Sequence, residues 1–303
     1  MERLNGRLVV LAGGTGLVGR RLTTALLGAG ARVAVLSRTP RTITQAGAES
    51  HPWEALPALA QEAAAVVNLA GEGIGDRRWT ADRKRVLRES RILTTTRIGA
   101  ALSAAPSPPK AWVNASAVGF YGHRPEAPCD EDSPPGTGFL PDLCRAWEAA
   151  AGPIPGVRVV KLRLGVVLAR EGGALPRMAL PVNGFAGTAL GSGAQGFSWI
   201  HIEDLADLVL AVLLNPAYEG PVNATAPFPV SQQAFMQTLG KRLHRPILPV
   251  PAFLTAAAVK LLLGEMAEAM LLEGAEVLPK KALAQGFSFR FPTADQALAD
   301  LYP

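Results

Sequence analysis

This chain of 303 residues has two cysteines, Cys129 and Cys144, and four histidines. Two thiols build no disulfide framework, and no zinc-ligand spacing occurs around them. Aromatics are sparse at 6%, with tyrosine only at 121, 218 and 302. The apolar stretch 252–264 contains Lys260 and is too short to span a bilayer. No signal-peptide pattern precedes the first apolar run, so a soluble, cytoplasmic protein without membrane partners is expected. The formal net charge is +5, but the basic residues are dispersed. Their densest run (Arg77, Arg78, Arg83, Lys84, Arg85, Arg88, Arg91) is broken by Asp76, Asp82 and Glu89. That composition reads as a solvated helix face rather than a nucleic-acid surface.

What is present is a large apolar fraction, 49% of residues, enough to fill a sizeable core. The length fits one large α/β domain, or one domain and a small appendage. The most informative stretch is Gly13-Gly14-Thr15-Gly16-Leu17-Val18-Gly19. It follows the apolar run 8–12 and leads into an amphipathic segment, the order strand, glycine turn, helix. Backbone N–H groups at a helix N-terminus, with no side chains in the way, are what a phosphate needs. Gly13, Thr15, Gly16, Leu17, Val18 and Gly19 are therefore candidate cofactor-binding residues.

A second strand is expected over 32–36, ending in Ser37-Arg38. Sites for NAD usually place an acid here, to bond the ribose 2′-hydroxyl. None occurs. A guanidinium stacks on adenine and pairs with a 2′-phosphate, so Ser37 and Arg38 point to NADP(H). Arg20 is a weaker candidate for the same phosphate. A third strand, 64–71, ends in Leu69-Ala70-Gly71 before Glu72, small residues that let a cofactor approach the backbone.

Further strand and helix patterns alternate: helix 80–102, strand 111–116, helix 141–151 and strand 157–163. Repeated units of this kind imply an α/β fold with a doubly wound parallel sheet. Two segments break the rhythm. Residues 124–138, rich in Pro, Gly and acid, read as a surface loop. Residues 171–196 hold seven glycines and read as an ordered substrate-side loop. Asp204 reads as the N-cap of a helix over 205–214. Residues 286–292 alternate like an edge strand. The division expected is a cofactor domain, 1–248, and a small, mostly helical C-terminal region, 249–303, on the substrate side.

These segments together resemble the extended short-chain dehydrogenase/reductases, and within them the "epimerase family" proteins with a short C-terminal domain of unknown function. The resemblance is carried by the glycine turn, Asn68-Leu69-Ala70-Gly71-Glu72, Arg78-Trp79, Glu89-Ser90-Arg91 and Ser116-Ala117-Val118-Gly119-Phe120-Tyr121-Gly122. It continues through Trp147-Glu148, 163–168, 191–193, 198–205, 220–223 and Gly286-Phe287. It implies a Rossmann-type sheet, a nicotinamide cofactor and a small-molecule substrate. It also implies a possible homodimer through helices 80–102 and 141–151.

The superfamily's acid/base pair, a Tyr with a Lys four residues later, occurs nowhere in the chain. If Glu148 holds the Glu position of the extended branch, Leu140 stands at the Tyr site and Cys144 at the Lys site. Candidates to substitute are Ser116, which matches the catalytic serine to within one position, Tyr121 and Cys144. The expected function is an NADP(H)-dependent oxidoreductase or epimerase/dehydratase acting on an unknown small molecule. The alternative is a non-catalytic NADP(H)-binding redox sensor or partner-binding protein.

Overall fold

A computed structural model describes residues 4–39 and 46–303. Seven strands form one parallel sheet: β1 (Leu8–Ala12), β2 (Arg32–Leu36), β3 (Ala48–His51), β4 (Ala65–Asn68), β5 (Ala111–Ala117), β7 (Arg158–Leu164) and β11 (Gly220–Ala224). Their order is β11-β7-β5-β4-β1-β2-β3. Along β1 the side chains divide between two cores. Val9 and Leu11 pack with α1 (Leu17–Gly28) and α6 (Ile202–Leu214) on one face. Leu8, Val10 and Ala12 lie on the other, in a core that includes Leu56 of α2 (Leu56–Glu62), Ile98 and Leu102 of α3 (Ala81–Ala104), and Trp112. Helices on both faces explain why these strands read as unbroken apolar runs.

Register sets the site. Ala12 pairs with Leu36 on one side and with Asn68 on the other. Asn68 in turn pairs with Asn114. The carboxyl ends of β2, β1 and β4 therefore lie level. The order reverses at β1, and a crevice outside such a switch point is where ligands bind in open α/β sheets.

The remaining strands are short pairs: β8 (Val166–Leu168) with β10 (Trp199–His201), β9 (Gly196–Phe197) with β12 (Val230–Ser231), and β6 (Arg124–Cys129) with β13 (Ala275–Val277). Helices α4 (Phe139–Ala150), α5 (Ala174–Asn183), α7 (Gln232–Arg242), α8 (Ala252–Leu263), the three-residue turn α9 (Glu265–Ala267), α10 (Lys280–Ala284) and α11 (Ala294–Leu301) complete the described elements. Side chains of α5, α7 and α11 share a core with Trp199.

Four local expectations are corrected. The 124–138 loop contains β6, because the main chain of 275–277 supplies a partner some 150 residues away that no local pattern announces. The glycine-rich 171–196 segment holds α5; Pro176 falls in its first turn, where a missing N–H costs nothing, and Leu175, Ala179 and Val182 bury one side. Residues 286–292 form no strand. Their N–H groups at Arg290 and Phe291 donate instead to the Asp204 carboxylate, at 2.7 and 3.0 Å. That occupies Asp204, so the cap of α6 is His201, whose Nδ1 accepts from the Glu203 N–H at 3.1 Å.

Asp204 is fully buried and satisfies two main-chain donors. Asp204→Ala orphans both, so a loss of about 2–4 kcal/mol is expected in urea unfolding, with Asp204→Asn losing less because one acceptor oxygen remains.

Candidate functional site

The turn after β1 is shaped by close main-chain contact. Gly13 has φ +83°. A Cβ there would lie 2.7 Å from the carbonyl carbon of Leu69, so the β1 turn and the β4 turn touch directly. A Cβ on Gly19 would lie 2.2 Å from the Gly13 oxygen, and one on Gly14 would strike Val35 at 2.5 Å. Gly16 is different: its added Cβ meets nothing nearer than the Gly13 oxygen at 3.4 Å. The protein's own packing does not demand glycine at 16. Gly16 caps α1 with no side-chain hydrogen bond, and the first turn carries no acid. The first N–H groups of α1, from Leu17 and Val18 onward, thus face outward at the positive end of the helix dipole. This cradle fits a phosphate, and the clearance at Gly16 leaves room for one to approach the main chain. Thr15 lies in the same turn, where its carbonyl accepts from Arg20 Nη1 at 2.8 Å.

At the end of β2, Ser37 is nearly buried, and its hydroxyl accepts from the Thr39 N–H at 3.1 Å. Arg38 is 87% exposed and reaches Glu72 Oε1 only at 3.9 Å. Its guanidinium stands beside the crevice with, among the described residues, a single loose ionic contact. Glu72 is anchored from below: its N–H donates to Ser90 Oγ at 3.2 Å, its carbonyl accepts from Arg91 Nη2 at 3.0 Å, and Arg83 reaches its carboxylate at 3.5 Å. Leu69, Ala70 and Gly71 line the approach. The Ala70 N–H donates to Asn68 Oδ1 at 3.1 Å, and the Asn68 amide donates to Asn114 Oδ1 at 2.7 Å and to Thr95 Oγ1 at 3.1 Å. Buried amides thus fix the β4 turn from beneath.

The chemical end holds a buried polar chain. Ser116 Oγ donates to Glu148 Oε1 at 2.7 Å. Arg163 grips the same carboxylate with two hydrogen bonds, 2.8 Å from Nε and 3.0 Å from Nη2. Its Nη1 donates to the Tyr121 oxygen at 2.9 Å, and the Tyr121 hydroxyl donates to Asn223 Oδ1 at 2.7 Å. The guanidinium also stacks on Phe120, 3.6 Å from the ring centre. The Asn223 N–H donates to Glu131 Oε1 at 3.0 Å, which also accepts from the Lys281 N–H at 3.2 Å.

Tyr121 is wholly buried in this arrangement, and burial, partly offset by Arg163, pushes its pKa up to about 12. Cys144 is equally enclosed, and burial together with the Glu148 carboxylate pushes its thiol up to about 12. Burial thus favours the protonated form of both groups. Ser116 lies at the carboxyl end of β5, but it is also buried and commits its proton to Glu148. Leu140 packs against Gly119 and belongs to an apolar cluster with Ile74, Trp79 and Met270.

Sequence reasoning assigned no role to Arg163, Asn223 or Glu131. One signal was available: Arg163 sits in a strand that must be buried, and a buried guanidinium requires a carboxylate.

A parallel sheet with a tight glycine turn at its switch point defines a dinucleotide-binding α/β fold. Comparison with known proteins narrows this. The NAD dependent epimerase/dehydratase family matches residues 9–224, and a domain of unknown function (DUF1731) matches residues 254–301. The chain belongs to the NAD dependent epimerase/dehydratase family. It is similar to human epimerase family protein SDR39U1, 39% identical over 97% of this chain and 99% of the human one. It is also similar to an Arabidopsis thaliana homolog described as chloroplastic, 40% identical over 96% and 85%. A crystal structure of human SDR39U1 (isoform 2) with NADPH superposes with a TM-score of 0.89, at 38% identity over 97% of this chain and 99% of that one. A Corynebacterium glutamicum nucleoside-diphosphate sugar epimerase gives 0.78 at 31% identity, over 99% of this chain and 59% of that one.

Two outcomes follow from the buried chain. Glu148→Ala strands the Arg163 guanidinium and should cost about 3–5 kcal/mol, read by urea unfolding, with Glu148→Gln losing less. Native protein at pH 8 should leave Cys129 and Cys144 unmodified by iodoacetamide, whereas protein in guanidinium chloride should take up label at both, as intact-mass spectrometry would count.

Proposed function

We propose that this chain binds NADP(H), with the diphosphate on the Gly13–Gly19 turn and the 2′-phosphate on Arg38. The observation that carries the reading is Arg38: an exposed guanidinium at the end of β2, where an NAD site would hold an acid, with one contact at 3.9 Å. The clearance at Gly16 supports it, as does the NADPH in the human relative's crystal structure. On this reading Ser37 carries the Thr39 main chain, and Glu72 holds Arg38 until a phosphate takes the guanidinium.

The nicotinamide, when bound, supplies hydride chemistry. The chain's own part in an oxidoreductase or epimerase/dehydratase reaction on a small molecule is to orient the reactant and exclude water. Ser116, held by Glu148 and Arg163, is the polar group at the carboxyl end of β5.

A second reading, a non-catalytic NADP(H) binder that reports redox state or serves a partner, draws on one specific observation. Ser116, Tyr121 and Cys144 are all enclosed. The site as built supports cofactor binding more directly than proton transfer.

Calorimetric titration tests the assignment. NADPH should bind more tightly than NADH, and Arg38→Ala should remove roughly 10- to 100-fold of the NADPH affinity while leaving NADH nearly unchanged. Equal affinity for both cofactors would overturn the phosphate assignment. Steady oxidation of NADPH with any member of a carbonyl panel would remove the non-catalytic reading.

A further inference from the structure

The two faces of the sheet are joined above the crevice by a short set of contacts. Loop 72–79 leaves the carboxyl end of β4 and leads into α3, on one face of the sheet. Helix α5 follows β8, whose Val167 packs with the α1/α6 core on the other face. The turn before α5 rests on the cradle after β1: a Cβ on Gly173 would lie 3.1 Å from Leu17 Cδ2, at the first residue of α1. One turn further on, Arg177 reaches across to the loop. Its Nη1 donates to the Gly75 carbonyl at 2.8 Å and its Nη2 to Asp76 Oδ1 at 2.9 Å. This bond pair therefore spans from the α5 side of the carboxyl edge to the α3 side.

The loop is folded to receive that guanidinium. A Cβ on Gly73 would overlap Asp76 Oδ2, so the carboxylate turns back over a position that only glycine leaves open. The Gly73 carbonyl accepts from Arg83 Nη2 at 2.6 Å, which pins the loop to α3. The Ile74 carbonyl accepts from Trp79 Nε1 at 2.9 Å, which joins the two feet of the tip 75–78. Both feet pack with Met266 and Met270 in one apolar cluster, and a Cβ on Gly75 would lie 3.4 Å from Met270 Cε.

The supports differ in strength. At the feet, Trp79 and Met266 are 7 and 6% exposed. At the clasp, the Arg177 and Asp76 side chains are 63 and 53% exposed, and an ion pair so placed is weak and screened by salt. Residues 76–78 are exposed as well. A tip that stands on buried feet and is held down by a weak clasp opens without disturbing the core.

We propose that the tip 75–78 is a lid over the crevice, closed by Arg177, and that the occupant of the crevice enters and leaves when this clasp opens. The occupant is NADP(H) on the reading above; the inference rests on that reading for the ligand and not for the motion. A direct role for Arg177 as an anion ligand fits less well, because both of its outer nitrogens are already given to Gly75 and Asp76.

Trypsin tests the motion without cofactor. Arg77 and Arg78 lie in the tip, so nicking after either reports the population of opened loop. Arg177→Ala removes the clasp from one side. Gly73→Ala removes it from the other, since the added methyl displaces the Asp76 carboxylate. Each should raise the rate of nicking at 77 and 78, counted by intact-mass spectrometry, by about 3- to 5-fold, with far-UV circular dichroism unchanged. Stopped-flow mixing with NADPH tests the gate. Both variants should raise the association and dissociation rates by a similar factor and leave the dissociation constant within about twofold. Unchanged nicking in both variants would overturn the lid. Faster dissociation with unchanged association would overturn the gate and make Arg177 a cofactor contact. Wild-type protein that binds no NADPH would overturn the cofactor reading and with it the NADP(H) gate, while nicking, measured without cofactor, still decides the lid.

Discussion

The ion pair between Arg163 and Glu148 is the constraint around which the chemical end of this molecule is organised. Two charges in a protein interior are tolerated only when every remaining donor and acceptor is met. Arg163 has its partners: a carboxylate gripped twice, the tyrosine oxygen, the Glu131 carbonyl at 3.4 Å and the face of Phe120. Each of these groups is drawn in by the guanidinium and then unavailable elsewhere. Ser116 turns its proton inward, Tyr121 hands its own to Asn223, and Asn223 passes the connection to Glu131 and Leu278. A polar chain thus runs from the middle of the sheet to the C-terminal region.

The two halves of the crevice are therefore built on different physics. At the phosphate end, the main chain does the work. Gly13 and Gly19 permit contacts that any side chain would block, and the outward N–H groups of α1 come free with the turn. At the chemical end, side chains do the work, and nearly all of it is spent on one another. Asn68, Asn114 and Thr95 form a second closed set, completed by the Trp147 Nε1 donation to Thr95 at 3.0 Å. Polar networks satisfied in this way specify a unique packing, and they leave little for a ligand.

That difference also explains what the sequence made legible. The strand, glycine turn and helix from 8 to 28 are local, and so is the missing acid after β2; both are read from neighbours in the chain. The parallel sheet follows from repeating units. The burial of Tyr121 and Cys144 was not legible, because their surroundings include Arg163, 42 residues from Tyr121, and segments further still. Asp204 looked like a helix cap because that is its local grammar, yet two donors arriving 86 and 87 residues later claimed it. The 124–129 strand was hidden for the same reason: Pro125 and Pro128 argue against a strand until an edge with one partner is available.

That edge has a consequence for how the chain is made. β6 emerges from the ribosome about 150 residues before the only strand it pairs with, and Ser198 Oγ, which donates to Ala275 and accepts from Val277, also waits for that strand. For about half of synthesis the protein carries this strand segment unpaired, the kind of surface that recruits other nascent chains. Pro125 and Pro128 withhold two donors from it, and Arg124 and Glu126 charge it. The composition that disguises β6 as a loop also suits it to wait, unpaired, for a strand in the last tenth of these residues.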